Sequence, residues 1–204
     1  MSTLTTAARL KQLLPELFSQ QKLEGDYYLR LQLTQKISIL IELAYIQESL
    51  IVPAEQITAI PNLPDYILGL MTSRSQVFLS VDLAQAIGFA PETFALRQYS
   101  TVVIKTNLTE DDREMLQDRD FYSRSPSVQA VSRSHEPQQL ELLGCSVRKI
   151  LGISRLSPAA FEPIKEALPH PLSSIVKKRV VEQNQSSFLL DIPKFMATKI
   201  NQPR

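Results

Sequence analysis

The sequence predicts a mainly β protein, folded as a barrel or sandwich. Three observations carry this. Apolar and polar residues alternate over short runs such as "YLRLQLT" and "ISILIEL". Runs of this kind recur seven or eight times, with turn signals between them. Few segments hold a helical period for more than a turn or two. With 204 residues and 44% hydrophobic content, the chain can bury one real core, with room for two lobes.

The elements follow in order. Residues 5 to 20, "TTAARLKQLLPELFSQ", place Leu10, Leu13, Leu14, Leu17 and Phe18 on one helical face, which predicts an N-terminal amphipathic helix within an arm over 1–22. Pro15 kinks or restarts it. The arm either packs on the body or serves a partner. Packing is favoured, because surface helices normally hide such a stripe. After the Gly25-Asp26 turn, Leu29, Leu31 and Leu33 face one way and Arg30, Gln32 and Thr34 the other. Ile37, Ile39, Ile41 and Leu43 repeat the pattern, so both runs read as half-buried antiparallel strands. "QITAIP" reads as a short third strand. "YILGLM" and "QVFLSVDL" form a hairpin whose polar tip holds Ser73, Arg74 and Ser75. "STVVIKT", "LELLGCSVRKILGI" and "SSFLLDI" complete the strands.

Two strands end alike. "LSVDLAQAIG" and "FLLDIPKFM" each set an aspartate, Asp82 or Asp191, where a strand gives way to a short helix. An aspartate there accepts the free N–H groups of the first turn. This echo points to two similar lobes. Residues 107–139 are polar and predict a mobile insertion, with Thr109 and Asp112 spaced as a capping box. In "SPAAFEPIKEALPHPL", Ser157 caps a turn begun by Pro158, and Pro163 forbids one continuous helix.

Composition excludes several classes. A net charge of +1 provides no global field to recruit nucleic acid. The single cysteine, Cys145, rules out an internal disulfide and a Cys-cluster metal site. The longest apolar run, "ISILIELAYI", is too short to span a bilayer, and the N-terminus lacks a signal-peptide run. A cytoplasmic protein is expected, meeting a membrane only through a partner. His135 and His170 have no ligand at metal spacing, so no metal or other cofactor is expected. "EDDRE" reads as the acidic first turn of a solvated helix. With five glycines and no GxSxG, phosphate loops and a nucleophile elbow are absent from the sequence. "KKR" at 177–179 reads as a solvated face, and nucleic-acid binding as the weakest reading.

The segment "ITAIPNLPDYILGLMTSRSQVFLSVDLAQAIG" resembles the signature of CheW-like domains. Ile60, Pro61, Pro64, Tyr66, Ile67, Gly69, Arg74, Asp82, Leu83 and Gly88 match in order, and "SSFLLDIPKFM", with Asp191, resembles the family's closing element. The resemblance covers residues 27–198 and implies a domain over 25–200. It implies two SH3-like five-stranded barrels sharing a core. It also implies a non-catalytic adaptor that couples a methyl-accepting chemoreceptor to the regulatory domain of a CheA-type histidine kinase. The matching arginine, Arg74, then belongs to the partner-binding surface, with Ser73 and Ser75 beside it. Phe78 either joins an exposed apolar patch there or covers a second core. Two departures stand out. Serine replaces glycine at 75, where glycine would allow positive φ at little cost. Cys145 and Ser146 occupy a stretch where the family often has Val-Asp. The arm and the insertion suggest a specialised member, for twitching or phototactic motility. The rival readings are a degenerate member that sequesters partners and a small barrel hydrolase using Cys145.

Overall fold

The structure, a computed structural model, describes residues 25–35, 37–90, 97–108, 141–165, 168, 170–182 and 185–200. The predicted N-terminal helix, the 109–112 capping box and the rest of the insertion through 139 lie outside these residues.

Ten strands are described: β1 (Asp26–Gln32), β2 (Ile37–Glu42), β3 (Ile46–Pro53), β4 (Ile67–Ser73), β5 (Gln76–Asp82), β6 (Gln98–Lys105), β7 (Leu142–Val147), β8 (Lys149–Leu156), β9 (Val176–Glu182) and β10 (Gln185–Leu190). They form two five-stranded sheets. Barrel A has the order β8-β1-β2-β10-β9 and barrel B the order β3-β6-β7-β5-β4. Three single-turn helices follow or precede strands: α1 (Leu83–Ala86), α2 (Leu172–Ile175) and α3 (Ile192–Phe195). The last runs into a π turn at Met196–Ile200.

The two barrels are the same unit cut at different places. Each has an edge hairpin, β4–β5 or β9–β10. Each then has one parallel pair, β5–β7 or β10–β2, and two antiparallel pairings beyond it. Barrel B uses β3 to β7 in chain order. Barrel A takes β1 and β2 from the start of the domain and β8 to β10 from its end. Each sheet also closes on itself by one isolated bridge between its edges, Thr58–Leu70 in barrel B and Glu162–Arg179 in barrel A. The echo between Asp82 and Asp191 marks this repeat.

Strand alternation sends side chains to two different cores. The shared core lies between the barrels and joins Leu29, Leu31, Ile39 and Ile41 to Val81, Val102, Ile104, Leu143 and Cys145. A second cluster, Tyr28, Leu40, Leu156, Val180 and Leu189, draws on all five strands of barrel A. A third, Val52, Met71, Phe78 and Val103, lies within barrel B. Fully burying one such side chain is worth about 1.5–3 kcal/mol, so the shared core dominates.

Four strand expectations are corrected. "QITAIP" is not a strand; its Thr58 makes only the closing bridge, and the true third strand is β3. β3 was hidden because its outward face carries Ile51, which blurs the alternation. "LELLGCSVRKILGI" breaks at Arg148 into β7 and β8, and "VKKRVVE" forms a further strand, β9, on which Lys177 and Lys178 are exposed as expected of a solvated face. β2 is not half-buried: Ile39 and Ile41 pack into the shared core and Leu40 into the inner cluster of barrel A, so both faces are covered. Ser157 does cap a single turn, its Oγ accepting from Ala159 N at 3.3 Å.

Candidate functional site

Residues 57–88 build one connected unit on barrel B. After a 3-10 turn at Ala54–Gln56, Thr58 and Leu70 exchange two backbone hydrogen bonds of 2.8 Å. Gly69 sits beneath that crossing with φ 144°, and a Cβ there would lie 2.2 Å from the Thr58 carbonyl oxygen. Backbone cannot yield as a flexible side chain would, so the position requires glycine. Between Thr58 and β4, Ile60 and Pro61 lead into a turn with Asn62 at φ 62°, and Pro64 O accepts from Ile67 N. Tyr66 O accepts from Asp82 N at 2.8 Å, which ties this loop to the end of β5.

Asp82 then caps α1, its Oδ1 accepting from Gln85 N at 3.1 Å. Asp191 does the same for α3, accepting from Lys194 N at 3.2 Å. Both serve as structural caps here. The Tyr66 hydroxyl donates to Lys199 O at 2.6 Å, and the Lys199 ammonium lies 5.9 Å from the Tyr66 ring centroid. Gly88, at φ 92°, turns the chain where a Cβ would meet Pro171 Cδ at 2.6 Å. These contacts join the signature segment to the C-terminal part of the domain.

The hairpin tip is a two-residue turn between the paired Ser73 and Gln76. Arg74 has φ 46° and Ser75 φ 65°. This positive pair belongs to a type I′ turn, whose twist matches that of the strands. The absence of glycine therefore does not change the hand of the turn; Ser75 adopts the left-handed region at a cost of about 1–2 kcal/mol.

Arg74 meets Glu48 of β3, at the opposite edge of the same sheet. Its Nε lies 2.9 Å from Glu48 Oε2, and Ser73 Oγ donates to Glu48 Oε1 at 2.6 Å. The Glu48 side chain is only 11% exposed, whereas that of Arg74 is 67% exposed. The glutamate thus clamps the tip across the barrel seam while most of the guanidinium stays in solvent. Sequence reasoning missed Glu48. Its signal was an acid on the same face as Leu50 and Val52, which calls for a cation.

Phe78 does not belong to an exposed patch. It is 2% exposed and packs with Val52, Met71 and Val103 inside barrel B. The exposed apolar residue beside the tip is Val77, at 65%. Register explains the swap: Phe78 lies opposite inward Met71, and Val77 opposite exposed Thr72.

The chemistry available here is recognition. Cys145 is fully buried in the shared core, and burial pushes its thiol up to about 12. A buried thiol of that kind is inert, which speaks against the hydrolase reading. Among the described residues no group of three His, Cys, Asp or Glu side chains could hold a metal ion. Among them, too, no helix is long and apolar enough to cross a membrane.

Comparison with known proteins fits this geometry. No curated protein matches the sequence. The crystal structure of the scaffolding protein TtCheW from Thermoanaerobacter tengcongensis superposes with a TM-score of 0.56 at 11% identity, covering 82% of this chain and 89% of that one. At that identity the likeness concerns the fold. The CheW-like domain model matches residues 28–199, from within β1 to the π turn. The chain therefore belongs to the CheW-like domain family.

Proposed function

We propose that this protein is a non-catalytic signalling adaptor that couples a methyl-accepting chemoreceptor to a CheA-type histidine kinase. Family membership supports the adaptor role in chemotaxis signalling. The observation that carries the finer reading is the tip of β4–β5. A single arginine, two-thirds exposed, is held in a defined direction by a nearly buried carboxylate. A planar guanidinium fixed in this way can grip a partner carboxylate or carbonyl in one geometry. Ser73 belongs to the clamp, Ser75 to the turn, and Val77 adds apolar contact beside them. The mechanism is positional, with both partners held at fixed geometry on a rigid pair of barrels. The protein acts at the membrane only through the receptor.

Calorimetric titration with the regulatory domain of a CheA-type kinase tests this. Micromolar binding or tighter is expected, and its absence with folded partners overturns the kinase half of the proposal. Arg74→Glu should weaken binding at least tenfold, about 1.4 kcal/mol. It should cost about 1–3 kcal/mol of stability without unfolding the protein, because the largely enclosed Glu48 loses its cation and faces a second carboxylate. Glu48→Gln leaves the guanidinium present but unclamped. An intermediate loss there would show that direction, and not charge alone, matters.

A further inference from the structure

The shared core does not stop cleanly at β1. Across barrel A, Ile41 pairs with Leu29, and Leu29 with Ile153 on the edge strand β8. Ile41 and Leu29 are buried by the other barrel. Ile153 is 50% exposed, and its neighbour Leu151, extra in the register because of a bulge, is 41% exposed. An apolar row thus crosses three strands and loses its cover at the last. Among the described residues β8 is paired on one side only, with β1.

The described chain enters β1 at one end of β8. Gly25 lies against the end of β8, where a Cβ would sit 2.3 Å from Leu156 O. Arg155 of β8 donates from Nε to Gly25 O at 3.0 Å and lies 5.1 Å from the Tyr27 ring centroid. The 24 preceding residues therefore join the described chain at the Leu156 end of β8, three residues along the strand from Ile153. They carry the stripe of Leu10, Leu13, Leu14, Leu17 and Phe18, with Glu16 available to meet Lys149 or Arg155. As a helix, Leu10 to Phe18 spans roughly 12–13 Å, enough to cover both residues. The other long segment outside the described residues, 109–140, is a weaker candidate: it joins β6 to β7 in barrel B and is far more polar.

We infer that the N-terminal arm docks its leucine stripe on Leu151 and Ile153 of its own chain, completing the shared core over β8. The arm is then a cis cover for this edge of barrel A, leaving the Arg74 tip of barrel B open.

Thiol labelling tests it, because native Cys145 is buried and stays silent. Ile153→Cys is compared in the full chain and in a chain also carrying Leu14→Glu and Leu17→Glu. Labelling should be roughly tenfold slower with the intact stripe. Val77→Cys, on barrel B, should label equally in both backgrounds, and the continued silence of buried Cys145 reports that the stripe variant stays folded. Equal labelling rates for Ile153→Cys in the two backgrounds would overturn the proposal. Protection that grows with protein concentration would also overturn it, since the cover would then be a second copy.

Discussion

Barrels A and B build the same hairpin from different chemistry. Counted back from Asp191 and Asp82, β9–β10 and β4–β5 align without a gap. Both have a bulge at the same place, Lys177 or Leu68, and both have two-residue tips. At the closing bridge Arg179 stands where barrel B has Leu70, and Lys178 where it has Gly69. Barrel B needs glycine there because the Thr58 peptide crosses at van der Waals range. Barrel A closes with the same pair of backbone bonds and tolerates a lysine. Fold topology alone therefore does not require the glycine; the close crossing in barrel B does.

Charge at the seam is also inverted. In barrel B the acid, Glu48, lies on the body and the arginine on the tip. In barrel A the acid, Glu182, stands at the position of Ser73, and Arg30 of β1 reaches it from Nη2 at 2.6 Å. The acid side chains differ in burial too, 44% exposed for Glu182 and 11% for Glu48. One repeat therefore turns its arginine inward and the other presents it to solvent, so only barrel B offers a cationic tip among the described residues.

The largest test of this comparison is the glycine. Gly69→Ala should destabilise the protein by about 3 kcal/mol or more, because the new methyl group meets backbone. Lys178→Ala at the matching position should change stability by under about 0.5 kcal/mol. Urea unfolding reads both, and similar costs would dissolve the contrast.

Alkaline pH should sharpen it next. Tyr28, within the barrel A cluster, is pushed up to about 12, mainly by burial and further by Asp26 and Glu42. The folded state holds this proton after the unfolded chain releases it near pH 10. Stability should fall between about pH 10 and 12, by up to about 1.4 kcal/mol per unit. Barrel B's inner cluster has no ionisable member. Tyr28→Phe should remove part of the fall, leaving that of Cys145 in the shared core, whose thiol is also pushed up to about 12 and whose share begins near pH 9.

The two caps should prove alike. Asp82→Ala and Asp191→Ala should each cost about 1 kcal/mol, the worth of a lost helix cap. A twofold disparity in thermal unfolding would argue that one of them does more. The smallest effect lies at the tip. Ser75→Gly should stabilise by up to about 1 kcal/mol, relieving the positive φ, and should leave kinase-domain affinity unchanged. A loss of affinity would mean that the serine hydroxyl itself takes part.

Much of this was legible beforehand. Alternation located β1, β2, β4, β5 and β10, and the ordered match from Ile60 to Gly88 pointed to the family. Three features were not legible, for one reason. β3 paired its inward row with an exposed Ile51, and single-strand periodicity cannot tell a seam strand from a loop. Phe78 had a choice of two cores, and which face is inward depends on the partner strand. Glu48 lies far from Arg74 along the chain and meets it only when the sheet closes.

By itself, then, the sequence determined the mainly β class, the helix caps at Asp82 and Asp191, the turn at Arg74-Ser75 and the family. These rest on local spacing and on side chains that bond to their own neighbours. Only tertiary structure decided that β1 and β2 complete a barrel with β8 to β10, that Gly69 lies under Thr58, and that Glu48 aims Arg74. Each of those depends on closing a sheet on itself, which brings distant segments within hydrogen-bonding range and cannot be encoded in any one of them.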